Sequence, residues 1–176
     1  DGHSAYVAAA DWDLKFKRDI YNITGTLATS RAGAAGERKS GYIAHIELDK
    51  RGGWLEAETG FAALSPGVEI NDLGFLRRSD LLRSWASAQL FRYKPIGPFR
   101  TFDTRIQGEV EWNYDGTRLG NSVNISNWAD LHNYWRLHLH FGRNFAAMND
   151  DDIRRGGTII KQLAQNWLHV RIQTDE

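Results

Sequence analysis

The chain has 176 residues, enough for one domain or for a section of a larger one. Its 22 basic and 22 acidic residues balance, so no net field draws it to nucleic acid or to an anionic membrane surface, and the absence of cysteine excludes disulfides, thiolate catalysis and thiolate metal sites. No apolar run approaches the roughly 18 residues of a transmembrane helix, so any membrane role falls to strands, in which only every second residue meets lipid.

The dominant period is two. Tyr6, Ala8, Ala10, Trp12, Leu14 and Phe16 form an apolar phase against Asp11, Asp13 and Lys15. Tyr42, Ala44, Ile46 and Leu48 alternate with His45, Glu47 and Asp49. The clearest alternation runs over 103–114, where Thr104, Ile106, Gly108, Val110, Trp112 and Tyr114 oppose Asp103, Arg105, Gln107, Glu109, Glu111 and Asn113. Trp135, Leu137, Leu139 and Phe141 repeat the pattern against Arg136, His138 and His140. With weaker strands near 20–29, 53–63, 81–93, 118–128 and 165–174, the chain reads as about nine strands. Two of these have helical rivals, because Leu81, Trp85 and Gln89, and then Ile160, Leu163, Trp167 and Leu168, also recur at helical spacing. Strand neighbours on both sides favour strands.

Connections sort by length. Those at 17–19, 51–53, 94–98 and 130–132 are tight, and those at 31–40, 65–80 and 143–162 are long. The turn at Asp115-Gly116 is short where the alternation calls for a long one. Pro66, Pro95 and Pro98 all fall in connections, as strand interiors require. Several strands reach nine to twelve residues, and short turns at one rim with long loops at the other are a mark of outer-membrane barrels. On these grounds two architectures stay open, a membrane barrel and a soluble antiparallel sandwich.

The segment Ser65-Pro66-Gly67-Val68-Glu69-Ile70-Asn71-Asp72-Leu73-Gly74-Phe75-Leu76-Arg77-Arg78 resembles a signature of the DUF5916 family. Residues 11–16 with 25–30 are similar to that family's strand–turn–strand entry, and Asp151-Asp152-Ile153-Arg154-Arg155-Gly156-Gly157 to its late loop, with Thr158 where a proline would stand. The resemblance covers the whole chain. It implies an all-β, antiparallel up-and-down meander forming part of a transmembrane outer-membrane β-barrel. It also implies contact with outer-membrane lipid, a carbohydrate-binding domain fused on the N-terminal side, and carbohydrate as a possible ligand. Nine is odd where single-chain bacterial barrels use even numbers, and residues 173–176 lack a terminal aromatic. Residues 1–176 are therefore expected to be one incomplete barrel segment.

The candidate residues are weighed against ordinary roles. His138 and His140 share a strand face, but spacing fixes no third ligand, so lumen lining is expected rather than a metal. The acidic run 149–152 lacks the glycine and spaced oxygens of a calcium loop. Glu109 with Glu111, and Glu56 with Glu58, sit at i and i+2 like many pairs on these strands, and are expected to line a lumen rather than cleave a glycoside. Asn22-Ile23-Thr24 and Asn124-Ile125-Ser126 match glycosylation acceptors only by accident in a bacterial strand. The expected polar lining comprises Arg105, Glu109, Glu111, Arg136 and His138. Glu69, Asn71, Asp72, Arg77 and Arg78 in one loop, and Asp152, Arg154 and Arg155 in another, complete the binding set. The 65–78 loop is expected to brace the wall through Phe75 and Leu76, with a constriction as its second possible role. No cofactor, metal or catalytic group is expected. The expected function is passage or capture of an extracellular solute at the outer membrane. Alternatives are a non-catalytic part of a carbohydrate-processing hydrolase or a soluble carbohydrate-binding sandwich.

Overall fold

An alternating strand presents backbone N–H and C=O groups along both edges, so it is stabilised by pairing with neighbouring strands. The computed structural model describes residues 4–34, 37–70, 76, 78–149 and 159–174. They form β1 (Ser4–Phe16), β2 (Tyr21–Gly33), β3 (Lys39–Lys50), β4 (Leu55–Leu64), β5 (Leu81–Arg92), β6 (Phe99–Trp112), β7 (Arg118–Leu131), β8 (Arg136–Asn144), β9 (Ala147–Asn149), β10 (Ile160–Gln162) and β11 (Gln165–Gln173). Strands β1 to β8, then β11, pair antiparallel in chain order as one nine-stranded meander, and β9 pairs with β10 apart from it. Among the described residues β1 and β11 each have a strand partner on one side only, so the sheet is open. Both segments with helical rivals are strands, held by the pairs Trp85↔Glu109 and Leu168↔Phe141.

Some boundaries differ from the alternation. β6 stops at Trp112 because Asn113 closes the turn: its N–H donates to Thr117 O at 3.0 Å, and its Oδ1 accepts from Thr117 N at 2.7 Å. Tyr114 therefore lies outside the strand. Asp130 and Leu131 belong to β7, and Trp135 to the turn, since Leu131 N–H donates to Trp135 O and Tyr134 takes a left-handed φ of 65°. The long connection 143–162 contains β9 and β10. The first turn is carried by Lys17, Arg18 and Asp19, all with φ between 48° and 63°, and the second by Gly52 and Gly53 at 79° and 82°.

The register sets the faces. Phe16 pairs with Tyr21, and that row continues through Lys50, Ala57, Ala88, Ile106, Ile125, Phe141 and Leu168. One face therefore carries the apolar phase of every strand. The other carries Asp11, Asp13, Glu47, Asp49, Glu56, Glu58, Asp103, Glu109, Glu111 and Asp130, all the acidic residues of the nine strands. The same row begins at the last residue of β1 and reaches β7 at Ile125, six residues before its end at Leu131 (131 − 125). The sheet is thus staggered by about one residue per strand, the relation that accompanies tilted strands in barrels.

The described residues form no packed interior. Among the described residues no large side chain is fully buried, and the buried apolar residues are Ala32, Ala63, Val68, Leu119 and Ala147. Ile46, Ile106, Leu139, Phe141, Val170 and Ile172 stand exposed on the apolar face. A chain of this length folding around its own core would bury about two thirds of its unfolded surface.

Candidate functional site

The polar face holds a groove of about 510 Å³ whose lining comes from β3 (His45, Glu47), β4 (Glu58), β5 (Arg83, Trp85, Ser87), β6 (Arg105, Gln107, Glu109) and β7 (Ser122, Asn124). Five adjacent strands can line one hollow only if the sheet curves toward this face. Some of its charges are matched, those of Arg83, Glu109 and the neighbouring Glu111. Arg83 bonds Glu109 and lies 3.7 Å from Glu111, while Gln89 donates to Asp103 at 2.9 Å. Arg105 reaches Ser87 Oγ at 3.4 Å, and its buried Nε has no hydrogen-bond partner among the described residues. Nearer the turns, Asp130 accepts from Thr101 at 3.0 Å and meets Arg136 at 3.3 Å and Arg100 at 3.6 Å.

Tryptophan and histidine build the rest of this face. Trp85 lies over Gly60, its cross-strand partner, stacks on His45 with ring centroids 5.5 Å apart, and donates from Nε1 to Glu58 at 2.8 Å. Trp167 covers its partner Gly142 in the same way and meets His140 edge-on at 4.3 Å. A Cβ on either glycine would run into the indole, so these positions require glycine and the indole roofs bare backbone. Trp128 stacks on His138 at 3.6 Å and remains 46% exposed, leaving ring surface open to a solute. His138 lies 5.8 Å from His140 and 5.6 Å from His169, so the register brings in a third imidazole that spacing within β8 could not reveal. His138 and His140 are engaged with Trp128 and Trp167, and no group of three or more His, Asp or Glu among the described residues is set to hold a metal ion.

The loop after β4 folds onto the polar face at the long-loop rim. Ser65 continues the ladder, donating to Tyr42 O at 3.0 Å and accepting Tyr42 N–H at 2.7 Å on its Oγ. Val68 then packs on Gly41, and Glu69 N–H donates to Ser30 Oγ at 2.9 Å. Gly41 and Ser30 are both on the polar face, paired with each other, and Ser30, Ser65 and Val68 are 4–6% exposed. The described anchor is therefore Val68. Leu76 is half-buried, and Phe75 lies outside the described residues. The loop's far end is tied by Asp80, whose Oδ1 accepts from Tyr114 N at 2.9 Å. Tyr114 in turn donates to the Tyr42 hydroxyl at 2.9 Å, bridging the rim above β4 and β5. Burial, then the bond to Tyr42, raises the Tyr114 phenol well above its ordinary pKa, so Tyr114 keeps the proton it donates.

Of the expected lining, Arg105 and Glu109 come together in the groove, Glu111 stands beside it within 3.7 Å of Arg83, and Arg136 and His138 stand toward the turns on the same face. Glu69 sits on the inward-folded loop, and Arg78 at its far end is half-buried. Asn71, Asp72, Arg77, Asp152, Arg154 and Arg155 lie outside the described residues. Arg83, Trp85, Trp128 and His169 were not among the expected residues. Arg83 has the same period-two signal as Arg105 and was readable, whereas the others depend on register.

No curated protein and no solved structure matches the chain. A family model does, described as a domain of unknown function and spanning residues 1–176. The meander, the 65–78 segment and this full-length match agree, and the chain belongs to the DUF5916 family.

Proposed function

We propose that this chain is a section of the wall of an outer-membrane β-barrel, with the apolar face toward lipid, the polar face toward a water-filled lumen, and the 65–78 loop narrowing that lumen to select a polar solute. The observation that carries the reading is the single sheet itself: large hydrophobics exposed across one face, every strand carboxylate on the other, and no second layer over the apolar face among the described residues. Exposed apolar patches of ordinary monomers reach only about 300–600 Å². Nine strands at about 4.8 Å spacing make this one roughly 40 Å wide. Dimensions agree with a bilayer. On β6 the apolar phase from Phe102 to Trp112 spans ten residue steps, about 34 Å along the strand, and at the tilt of about 36° that accompanies one residue of stagger per strand it stands about 27 Å tall. The lipid-facing band of such barrels is about 25 Å. Further strands would complete the wall at the edges of β1 and β11.

The solute class follows from the lining. Acidic, basic and amide groups alternate along it, so no single charge dominates the lining, and the open ring of Trp128, stacked on His138, offers an apolar platform of the kind a sugar ring uses. We therefore assign a polar solute, carbohydrate by class. Among the described residues nothing in the lining is posed for bond-making, so the mechanism is passage or capture rather than turnover. Deleting residues 67–78 in the intact protein is expected to raise single-channel conductance in planar bilayers. Unchanged conductance would leave the loop a brace and remove the gating part of the proposal.

A further inference from the structure

The two faces differ in charge as well as in polarity. The paired strand positions of the apolar face carry no carboxylate, yet they do carry arginines. Three of these stand at the long-loop border: Arg31, two residues before the end of β2; Arg118, the first residue of β7; and Arg143, one residue before the end of β8. All three are exposed, and none forms an ion pair among the described residues.

Each arginine has an aromatic companion. Tyr6 is the cross-strand partner of Arg31, Trp112 that of Arg118, and the Arg143 guanidinium lies 5.0 Å from the Phe145 ring centre. Each lies within two residues of its strand's end, so together they follow the long-loop rim. The turn-side border is different. There Lys50 spends its ammonium on the carbonyls of Gly52 and Leu55, which leaves Arg92 as the exposed strand cation with no ion pair among the described residues. An exposed guanidinium at the edge of an apolar band, with no carboxylate on its face, is matched by an anion carried at the same depth. A planar, weakly hydrated guanidinium suits phosphate in particular.

We infer that the long-loop border of the apolar face binds the phosphate-bearing headgroups of an anionic lipid leaflet through Arg31, Arg118 and Arg143. The inference rests on the lipid-facing reading above and adds which leaflet border is charge-selective and through which residues. Aromatic rings at headgroup depth fix the wall vertically, and the arginines make that anchoring depend on lipid charge.

The test reconstitutes the intact protein into phosphatidylcholine vesicles containing phosphatidylglycerol, with bromine on the chains of either one lipid or the other. Tryptophan quenching then reads which lipid lies against the protein. The wild-type protein is expected to be quenched preferentially by brominated phosphatidylglycerol, and the preference to fall about fivefold for each of Arg31→Gln, Arg118→Gln and Arg143→Gln at low salt. Lys15→Gln, on the polar face, is the control expected to leave it unchanged. Equal quenching by both lipids, or a triple variant that keeps the preference, overturns this inference and leaves the lipid-facing reading standing. No quenching by either lipid overturns the lipid-facing reading itself. Loss of the preference on adding inorganic phosphate, but not chloride at the same ionic strength, means that the arginines take free phosphate, which also overturns the lipid assignment. Single variants that stay folded keep the result decisive if the triple variant does not.

Discussion

Gly41→Ala tests the inward-folded loop with one methyl group. A Cβ built on Gly41 would lie 2.5 Å from the carbonyl carbon of Gly67 and closer still to the nitrogen and Cα of Val68. These are backbone atoms, so no rotamer change relieves the clash and the loop must move by roughly an ångström to restore ordinary contact distances near 3.5 Å. The movement lifts Val68 from a site where it is 4% exposed and breaks the 2.9 Å bond from Glu69 N–H to Ser30 Oγ. Losing most of a valine's burial costs about 1.5–2 kcal/mol and the hydrogen bond about 1 kcal/mol, so a destabilisation of roughly 2–3 kcal/mol is expected. Gly108→Ala is the matched control, because its Cβ would meet Ser122 O at 3.5 Å, an ordinary contact, and should be neutral within about 0.5 kcal/mol. Urea unfolding in detergent micelles measures both, and limited proteolysis between residues 65 and 80 reports the loop directly. Equal stability of the two variants, with no new cleavage at the loop, would refute the packing of Val68 on Gly41.

On β6, Ile106→Arg is expected to cost about 2–4 kcal/mol if it sits near the bilayer midplane, whereas Arg105→Ala costs far less; equal tolerance in a folding assay removes the lipid-facing assignment. Gly60→Ala drives the Trp85 indole off β4, breaking its stack on His45 and its bond to Glu58. An accompanying change in near-ultraviolet circular dichroism is expected, together with a loss of about 1–3 kcal/mol, and an unchanged spectrum would show that the indole does not lie over Gly60.

The period of two exposed most of the fold to sequence reading because each strand separates its two faces so cleanly. Asp103 to Trp112 alternates without a break, and the structure keeps every one of those residues on the expected face. Segments 79–89 and 159–168 were ambiguous for a physical reason. Leu81, Leu82 and Trp85, like Leu163, Ala164 and Trp167, suit a helical stripe locally, and only the ladders to β6 and β8 exclude it. The family's 65–78 signature located the important loop but not its anchor. Val68 looked unremarkable after Pro66-Gly67, and Gly41 gave no sign of a partner twenty-seven residues further along the chain (68 − 41). His169 joined His138, and Tyr114 joined Tyr42, only through register. Glycines paired with tryptophans, Gly25 with Trp12 and Gly60 with Trp85, were equally invisible, since either residue alone is ordinary.

The central claim, lipid on one face and water on the other, is tested most directly by spin labels placed singly from 103 to 111 on β6 in the reconstituted protein. Collision with oxygen, which concentrates in lipid, is expected to peak at 104, 106, 108 and 110, and collision with a water-soluble nickel chelate at 103, 105, 107, 109 and 111. Alternation in opposite phases for the two reagents is the predicted result. Oxygen and nickel profiles that rise and fall together, or even-numbered sites shielded from both, would mean that the apolar face is covered by protein or open to water, and would contradict the account.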